Sequence, residues 1–319
     1  MRGLVIIVAT FVLGAGGYWA FGARMIAQHG QVLIAQAPQF EAAMGPVRGF
    51  PQRFDFTLTA PVLRDRGDAP VWRAEALSVS TPLLRPDLIE VSFPDQQEIF
   101  WSAMPHVVQS RGMTATLELR ADAELASLSL GADALRLDPP LLLAASEAVA
   151  ISLRAVEGQG AAYRLDMDGA DLRLTPELRR LIDPQDNEGD ARGRIRLTGD
   201  VLFAAPLHLD APVPVIAQIT VAQAEFRWAG LVMGLEGTAI RAPQDGMLDG
   251  AFTLTLPDWR PFHALLVGSG MLDPDAGRMS ALFFAALAGG AGTSVSLPLD
   301  IRQSVVSLGP FGLVQLPAL

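Results

Sequence analysis

The sequence predicts a mostly β protein: a large curled antiparallel sheet, groove-like or sandwich-like, with few helices and one transmembrane helix ahead of it. Three observations carry this prediction. Apolar and polar residues alternate at a period of two through most of the chain after residue 46, amphipathic helical patterns are few, and an uncharged apolar stretch opens the sequence. Clean alternation marks antiparallel sheet with one dry face and one wet face, whereas the strands of parallel α/β folds are apolar on both.

The apolar stretch comes first. Residues 4–21, LVIIVATFVLGAGGYWAF, carry no charge, and as a helix they would span about 27 Å at roughly 1.5 Å per residue. Arg2 precedes them and Arg24 follows, while Tyr18, Trp19 and Phe21 stand where an interfacial aromatic belt would lie. A cleaved signal peptide, with Ala20 and Gly22 near the cleavage site, is the alternative. The aromatic cluster and the length of the run favour an uncleaved anchor over residues 1–23. The extra positive charge at the N-terminus orients it with the remaining residues exported.

Residues 24–45 read as a helical connector, with Met25, Ile26, Val32, Leu33 and Phe40 apolar and Pro38 as a break. From residue 46 to 319 the pattern is that of an antiparallel β domain. Phe54, Phe56 and Leu58 alternate with Asp55 and Thr57, and Ala115, Leu117 and Leu119 with Thr116 and Glu118. Ile151 and Leu153 flank Ser152, Ile195 and Leu197 flank Arg196, and Phe252, Leu254 and Leu256 flank Thr253 and Thr255. At the end, Val295, Leu297, Leu299 and Ile301 alternate with Ser296, Pro298 and Asp300. Asp168-Gly169, Asp245-Gly246 and Asp249-Gly250 read as hairpin turns.

Helical stripes follow at Trp259, Phe262, Leu265 and Leu266, and at Met279, Leu282, Phe283, Ala286 and Leu287 before Gly289-Gly290. A shorter patch covers 177–182. The acidic stretch IDPQDNEGDARG, residues 182–193, would divide the β domain into two halves. So few helices cannot cover so many strands, and the sheet must fold onto itself or bury its dry face against something else. Phe54, Phe56, Leu117, Leu119, Ile195, Leu197, Phe252 and Leu254 are therefore the candidate lining of an apolar groove, with ordinary core as the alternative.

Composition narrows the chemistry. The net charge of -10 argues against nucleic acid and against electrostatic docking on anionic lipid. The absence of Cys excludes disulfides, Cys-based zinc sites and thiol catalysis. His29, His106, His208 and His263 are far apart and none stands in a metal-ligand spacing. VGSG at 267–270 does not complete a nucleophile elbow, and GGAG at 289–292 lacks the Lys of a phosphate loop. DMDGAD, with Asp166, Asp168 and Asp171, lacks the bidentate Glu of a calcium loop and reads as a hairpin turn with outward carboxylates. The expectation is a protein with no catalytic, metal or cofactor site, and not an enzyme.

Two stretches, VRGFPQRFDFTLTAP at 47–61 and PDLIEVSFPDQQEIF at 86–100, resemble the signature of an uncharacterised membrane-anchored family of Gram-negative bacteria, domain of unknown function family 2125. The end, LPLDIRQSVVSLGPFGLVQLPAL, is similar to that family's closing pattern. More remotely, the layout resembles the AsmA-type proteins: one inner-membrane helix, then a periplasmic antiparallel sheet curled around an apolar groove. That resemblance implies lipid handling between membranes. The expected protein is thus single-pass in the inner membrane through residues 4–21, with its C-terminal domain in the periplasm. It would bind lipid or another apolar ligand in the groove; the alternative is a non-enzymatic structural or envelope-assembly factor acting through an envelope protein partner.

Overall fold

The computed structural model describes residues 18–315 except 33, 36, 38, 66, 102–103, 139–142, 183–190, 243–245, 269–271, 273 and 309–310. The chain forms two compact units, Met1–Asp133 with Leu207–Val213, and Ala134–Pro206 with Pro214–Leu319. The stretch expected to divide the chain, 182–193, falls within the second unit.

In the first unit, helix α1 covers residues 18–32 and the chain is helical again at 34–35. Strands follow as β1 (Phe40–Met44), β2 (Arg53–Arg64), β3 (Pro70–Ala74), β4 (Ala76–Pro82), β5 (Leu88–Ser92), β6 (Gln96–Trp101), β7 (Met104–Arg111), β8 (Thr114–Leu119) and β9 (Leu125–Asp138), of which the residues from Ala134 on belong to the second unit. The helical connector expected as far as residue 45 therefore ends early, because Phe40, Ala42 and Met44 turn inward at a period of two and β1 pairs with β2. Pro38 lies outside the described residues, as do residues 1–17 of the expected anchor. Residues 18–21 belong to the same helix as the start of the connector. Among the described residues no helix is long and apolar enough to cross a membrane.

Antiparallel register carries one apolar row across this unit. Phe56 lies opposite Val79, Val79 opposite Val91, Val91 opposite Ala115, and Ala115 opposite Leu130. Side chains alternate across a strand, so the neighbouring residues Thr57, Ser78, Ser92, Thr114 and Gly131 form the opposite face. The strands also break along a common line. Glu75 separates β3 from β4, residues 93–95 separate β5 from β6, and residues 112–113 separate β7 from β8. Hydrogen bonds join the breaks: Ala60 N donates to Glu75 O at 2.8 Å, Phe93 N to Met113 O at 3.0 Å, and Ser110 N to Asp95 O at 2.8 Å. Irregularities of this kind bend a strand and increase its twist, and here they are aligned across several strands. Gly112, at φ +61°, supplies the left-handed backbone that one break requires. At the bend, buried Gln97 accepts a bond from Trp72 Nε1 at 2.7 Å and donates to Ser110 Oγ at 3.4 Å.

The second unit is a meander in which each strand pairs antiparallel with the next. It runs β10 (Leu143–Ala155), β11 (Ala162–Leu174), β12 (Gly193–Phe203), β13 (Ile216–Trp228), β14 (Leu231–Arg241), β15 (Leu248–Leu256), β16 (Val295–Arg302), β17 (Val305–Leu308) and β18 (Phe311–Gln315). Helix α2 (Pro176–Ile182) follows β11, and α3 (Trp259–Gly268) and α4 (Pro274–Leu287) lie between β15 and β16. Ile151, Met167, Leu197, Ala224, Leu235, Leu254 and Leu297 stand opposite one another in turn, one continuous row. At its end, Leu254, Leu256, Val295 and Leu297 are buried with Trp259, Phe262, Leu266 and Phe284 in the core that the helices complete. The apolar face of β16 is therefore covered by protein.

Two of the expected turns are strand. Asp168-Gly169 lies within β11 and Asp249-Gly250 within β15. At the first, Asp168 is satisfied by arginines of β12, and the chain's irregularity falls later, at Asp171 with φ +49°. Tight turns among the described residues include Ala229-Gly230, between Trp228 and its partner Leu231, and Gln303-Ser304, between Arg302 and its partner Val305. Gly246, at φ +73°, does lie in the β14–β15 connection, while Asp245 is outside the described residues.

Candidate functional site

The eight residues expected to line a groove fall into two sets of four. Phe54, Phe56, Leu117 and Leu119 share the apolar face of the first unit, and Ile195, Leu197, Phe252 and Leu254 share that of the second. Within each set, burial differs. Phe54 is buried, its ring stacked on Trp19 with centroids 6.0 Å apart, and Leu254 is buried in the core beneath α3 and α4. Phe56 packs half-buried on the core of Leu58, Leu77 and Val79. Leu117, Leu119, Ile195 and Leu197 are half-buried, as are Ile151, Leu153, Leu165 and Met167 beside the last pair. Phe54 and Leu254 are thus core positions, and the half-buried leucines and isoleucines are the ones that a ligand can reach.

A cavity of about 630 Å³ lies between the end of α1 and β1, inside the size range of small-ligand sites. Ile34, Phe40, Ala42 and Met44 line it, with Gln31 and Glu41 as polar members. The same four apolar residues pack against the Leu58–Leu77–Val79 core, so the cavity adjoins the apolar face of the first unit. It suits an apolar chain with a polar end: the four side chains would take the former, and Gln31 can hydrogen-bond the latter, while Glu41 is engaged by Arg64.

The wet face of the second unit carries its charge in ion pairs, some between strands and one within β13. Arg194 and Arg196 of β12 reach Asp168 of β11 at 2.6 and 3.3 Å, Arg164 reaches Asp200 at 2.9 Å, and Arg227 reaches Glu225 at 2.6 Å. The hydrogen bond from Arg194, helped by Arg196, holds the Asp168 carboxyl below the usual aspartate range. Arg227 does the same for Glu225, and Arg85 for Asp87. These carboxylates stay ionised and engaged, the opposite of what a general acid at neutral pH requires. Among the described residues no group of three or more His, Asp or Glu could hold a metal ion. His263 joins α3 to α4 through Gly277 O at 2.9 Å and Ser280 Oγ at 3.0 Å, with its ring edge-on to Trp259. Gly268 ends α3, and residues 269–270 of the VGSG stretch lie outside the described residues.

Two features escape sequence reasoning. The first is the docking of α1 on the sheet. Trp19 Nε1 donates to Arg53 O at 2.8 Å, its ring meets Phe50 edge-on at 5.6 Å, and a Cβ on Gly22 would lie 2.6 Å from Phe54 Cζ. The half-buried residues Trp19, Gly22, Ala23, Ile26, Ala27, Gly30 and Ile34 mark the inward face, a helical spacing of small residues that lies hidden in a generally apolar stretch. The second is α4, whose regular stripe of Met279, Leu282, Phe283, Ala286 and Leu287 faces water rather than the core. Phe284, with Ala281, Ala285 and Ala288, makes the buried face.

Fold and site together define an antiparallel β protein with cross-strand charge pairs on one sheet face and a half-buried apolar row on the other. Over residues 19–317 the chain matches the model of the family described as "Uncharacterized protein conserved in bacteria (DUF2125)", and it belongs to that family. No match was found among curated proteins or among solved structures.

Proposed function

We propose that this chain is a non-enzymatic, membrane-tethered β protein of the bacterial envelope that holds an acyl chain or another apolar ligand against the dry sheet face. The observation that supports this best is the half-burial of Leu117 and Leu119 in one unit, and of Ile195 and Leu197 in the other, each pair on the apolar face of its strands. A face meant only for core would be buried to its ends, as Leu254 and Leu297 are. The cavity beside α1 adds a site of suitable size. The uncharged residues 4–21 supply the tether, in the inner membrane with the β units on the periplasmic side.

The full chain, extracted from membranes in mild detergent, is expected to carry lipid in native mass spectrometry and to take up a fluorescent fatty acid. Lipid-free protein that also takes up no fatty acid would overturn the reading. A second reading, an assembly factor acting through protein contacts, is favoured by one observation, the exposed stripe on α4. Under that reading the lipid experiment fails, while Leu282→Gln with Phe283→Gln weakens association with an envelope protein partner.

A further inference from the structure

We propose that the end of the first unit at which α1 begins is a bilayer-contacting surface, formed by Tyr18 and Phe21 of α1, Phe50 in the turn before β2, and Leu84 in the turn after β4. The proposal rests on the reading of residues 4–21 as a membrane tether and adds a second footing to it. All four side chains are exposed, by 55%, 65%, 52% and 87%. They are exposed on separate elements that the structure ties together. Trp19, between Tyr18 and Phe21, meets the Phe50 ring at 5.6 Å and bonds Arg53 O, and Leu83 N donates to Gln52 O at 2.8 Å. Strand direction agrees: β2 and β5 begin at this end and β4 finishes there.

The chain itself points to the occupant. Residues 4–17 are covalently continuous with Tyr18 and contain no charged side chain, so the medium that receives them lies beside the patch. The exposed face of α1 carries Tyr18, Phe21 and Met25 with Arg24 in its first turns, and Gln28, His29 and Gln31 with Val32 further on. Helices at a bilayer surface bury apolar and aromatic side chains in this way while polar ones stay in water. Charge fits too. Arg53 is paired with Asp55 and Glu90, and Arg85 with Asp87 and Glu118. Arg24 on α1 and Arg48 ahead of Phe50 are exposed beside the patch as well, so two cationic side chains can meet lipid phosphates at the rim while the apolar ones insert. Phe54, first of the dry row on β2, lies four residues beyond Phe50, so the row begins next to the proposed lipid surface.

The chain has no Cys, so a single introduced Cys reports one place. Full-length Phe50→Cys, Leu84→Cys, Phe21→Cys and Ala69→Cys proteins would each carry an environment-sensitive fluorophore in phosphatidylcholine vesicles containing a nitroxide lipid. Ala69 is exposed in the turn between β2 and β3, at the far end of β2. Labels at 50 and 84 are expected to be quenched roughly two-fold or more above the label at 69, since insertion of about 5–10 Å brings them to the nitroxide. Quenching at 21, with 50 and 84 no different from 69, would overturn this surface and leave the tether standing. Quenching at only one of 50 and 84 would overturn the shared surface as well. No quenching at any site would overturn both.

Discussion

Gly250 stands where a Cβ would lie 2.4 Å from Thr238 O and 2.7 Å from Ala239 Cα. Both atoms are backbone of β14, which cannot yield without shifting the strand, so Gly250→Ala is expected to destabilise the protein by about 1–3 kcal/mol. A lower urea midpoint at unchanged slope would show it. In the sequence Asp249-Gly250 looks like a turn, because a turn and a close approach of two strands both require glycine. Asp168 is ambiguous in the same way. Its carboxylate serves Arg194 and Arg196 across the strand, a use that depends on register and so leaves no local mark. Its lowered pKa means that the stabilisation is complete above the usual aspartate value of about 4 and is lost as pH falls through the lower folded value. The group is well exposed, so Asp168→Asn should cost less than about 1 kcal/mol at neutral pH. That difference should vanish in acid, and denaturant titrations at neutral and strongly acidic pH would check both limits.

Helix α4 sets two adjacent phenylalanines in opposite surroundings. Phe284 is 2% exposed and stacks on Trp259 with ring centroids 5.4 Å apart, while Phe283 is 56% exposed. Phe284→Ala is expected to cost about 3–5 kcal/mol through the cavity it leaves. Phe283→Ala should change stability by no more than about 0.5 kcal/mol. Thermal melts of the two variants side by side would decide it, and equal losses would contradict this packing. The sequence favours the wrong face of α4, since Met279, Leu282, Phe283 and Leu287 are more apolar than the buried Ala281, Ala285 and Ala288. Small residues let the helix sit close to the sheet, and one aromatic ring fills the remaining space, a solution that periodicity scores poorly. Helix α3 was legible because Trp259, Phe262 and Leu266 are both its most apolar residues and its buried ones. The strands were legible for a related reason: alternation follows directly from pleating. Their breaks at Glu75, 93–95 and 112–113 were not, because alignment across strands is a property of pairing.

At the scale of the whole molecule, the proposed function depends on what reaches the half-buried part of each apolar face. Leu117 and Leu197 belong to different units, each on an apolar face that protein covers elsewhere: near Phe54 by α1, and near Leu254 by α3 and α4. A charge placed on the closed part must unfold something, whereas a charge on the half-buried part can remain hydrated. Leu117→Glu and Leu197→Glu should therefore fold and melt close to the parent, while Leu254→Glu should not. If the rows hold an acyl chain, the first two variants lose uptake of a fluorescent fatty acid in detergent-free vesicles. Loss at Leu117 alone assigns the ligand to the first unit, and loss at Leu197 alone to the second. Salt supplies an independent check. Arg85, Arg194 and Arg196 are committed to carboxylates of β8 and β11, and the net charge is -10. Binding driven by apolar burial is barely screened, whereas capture by a cationic surface weakens as ionic strength rises. Fatty-acid uptake should hold steady between low and high salt. A steep fall would mean that a charged headgroup site governs binding and that the apolar rows do not.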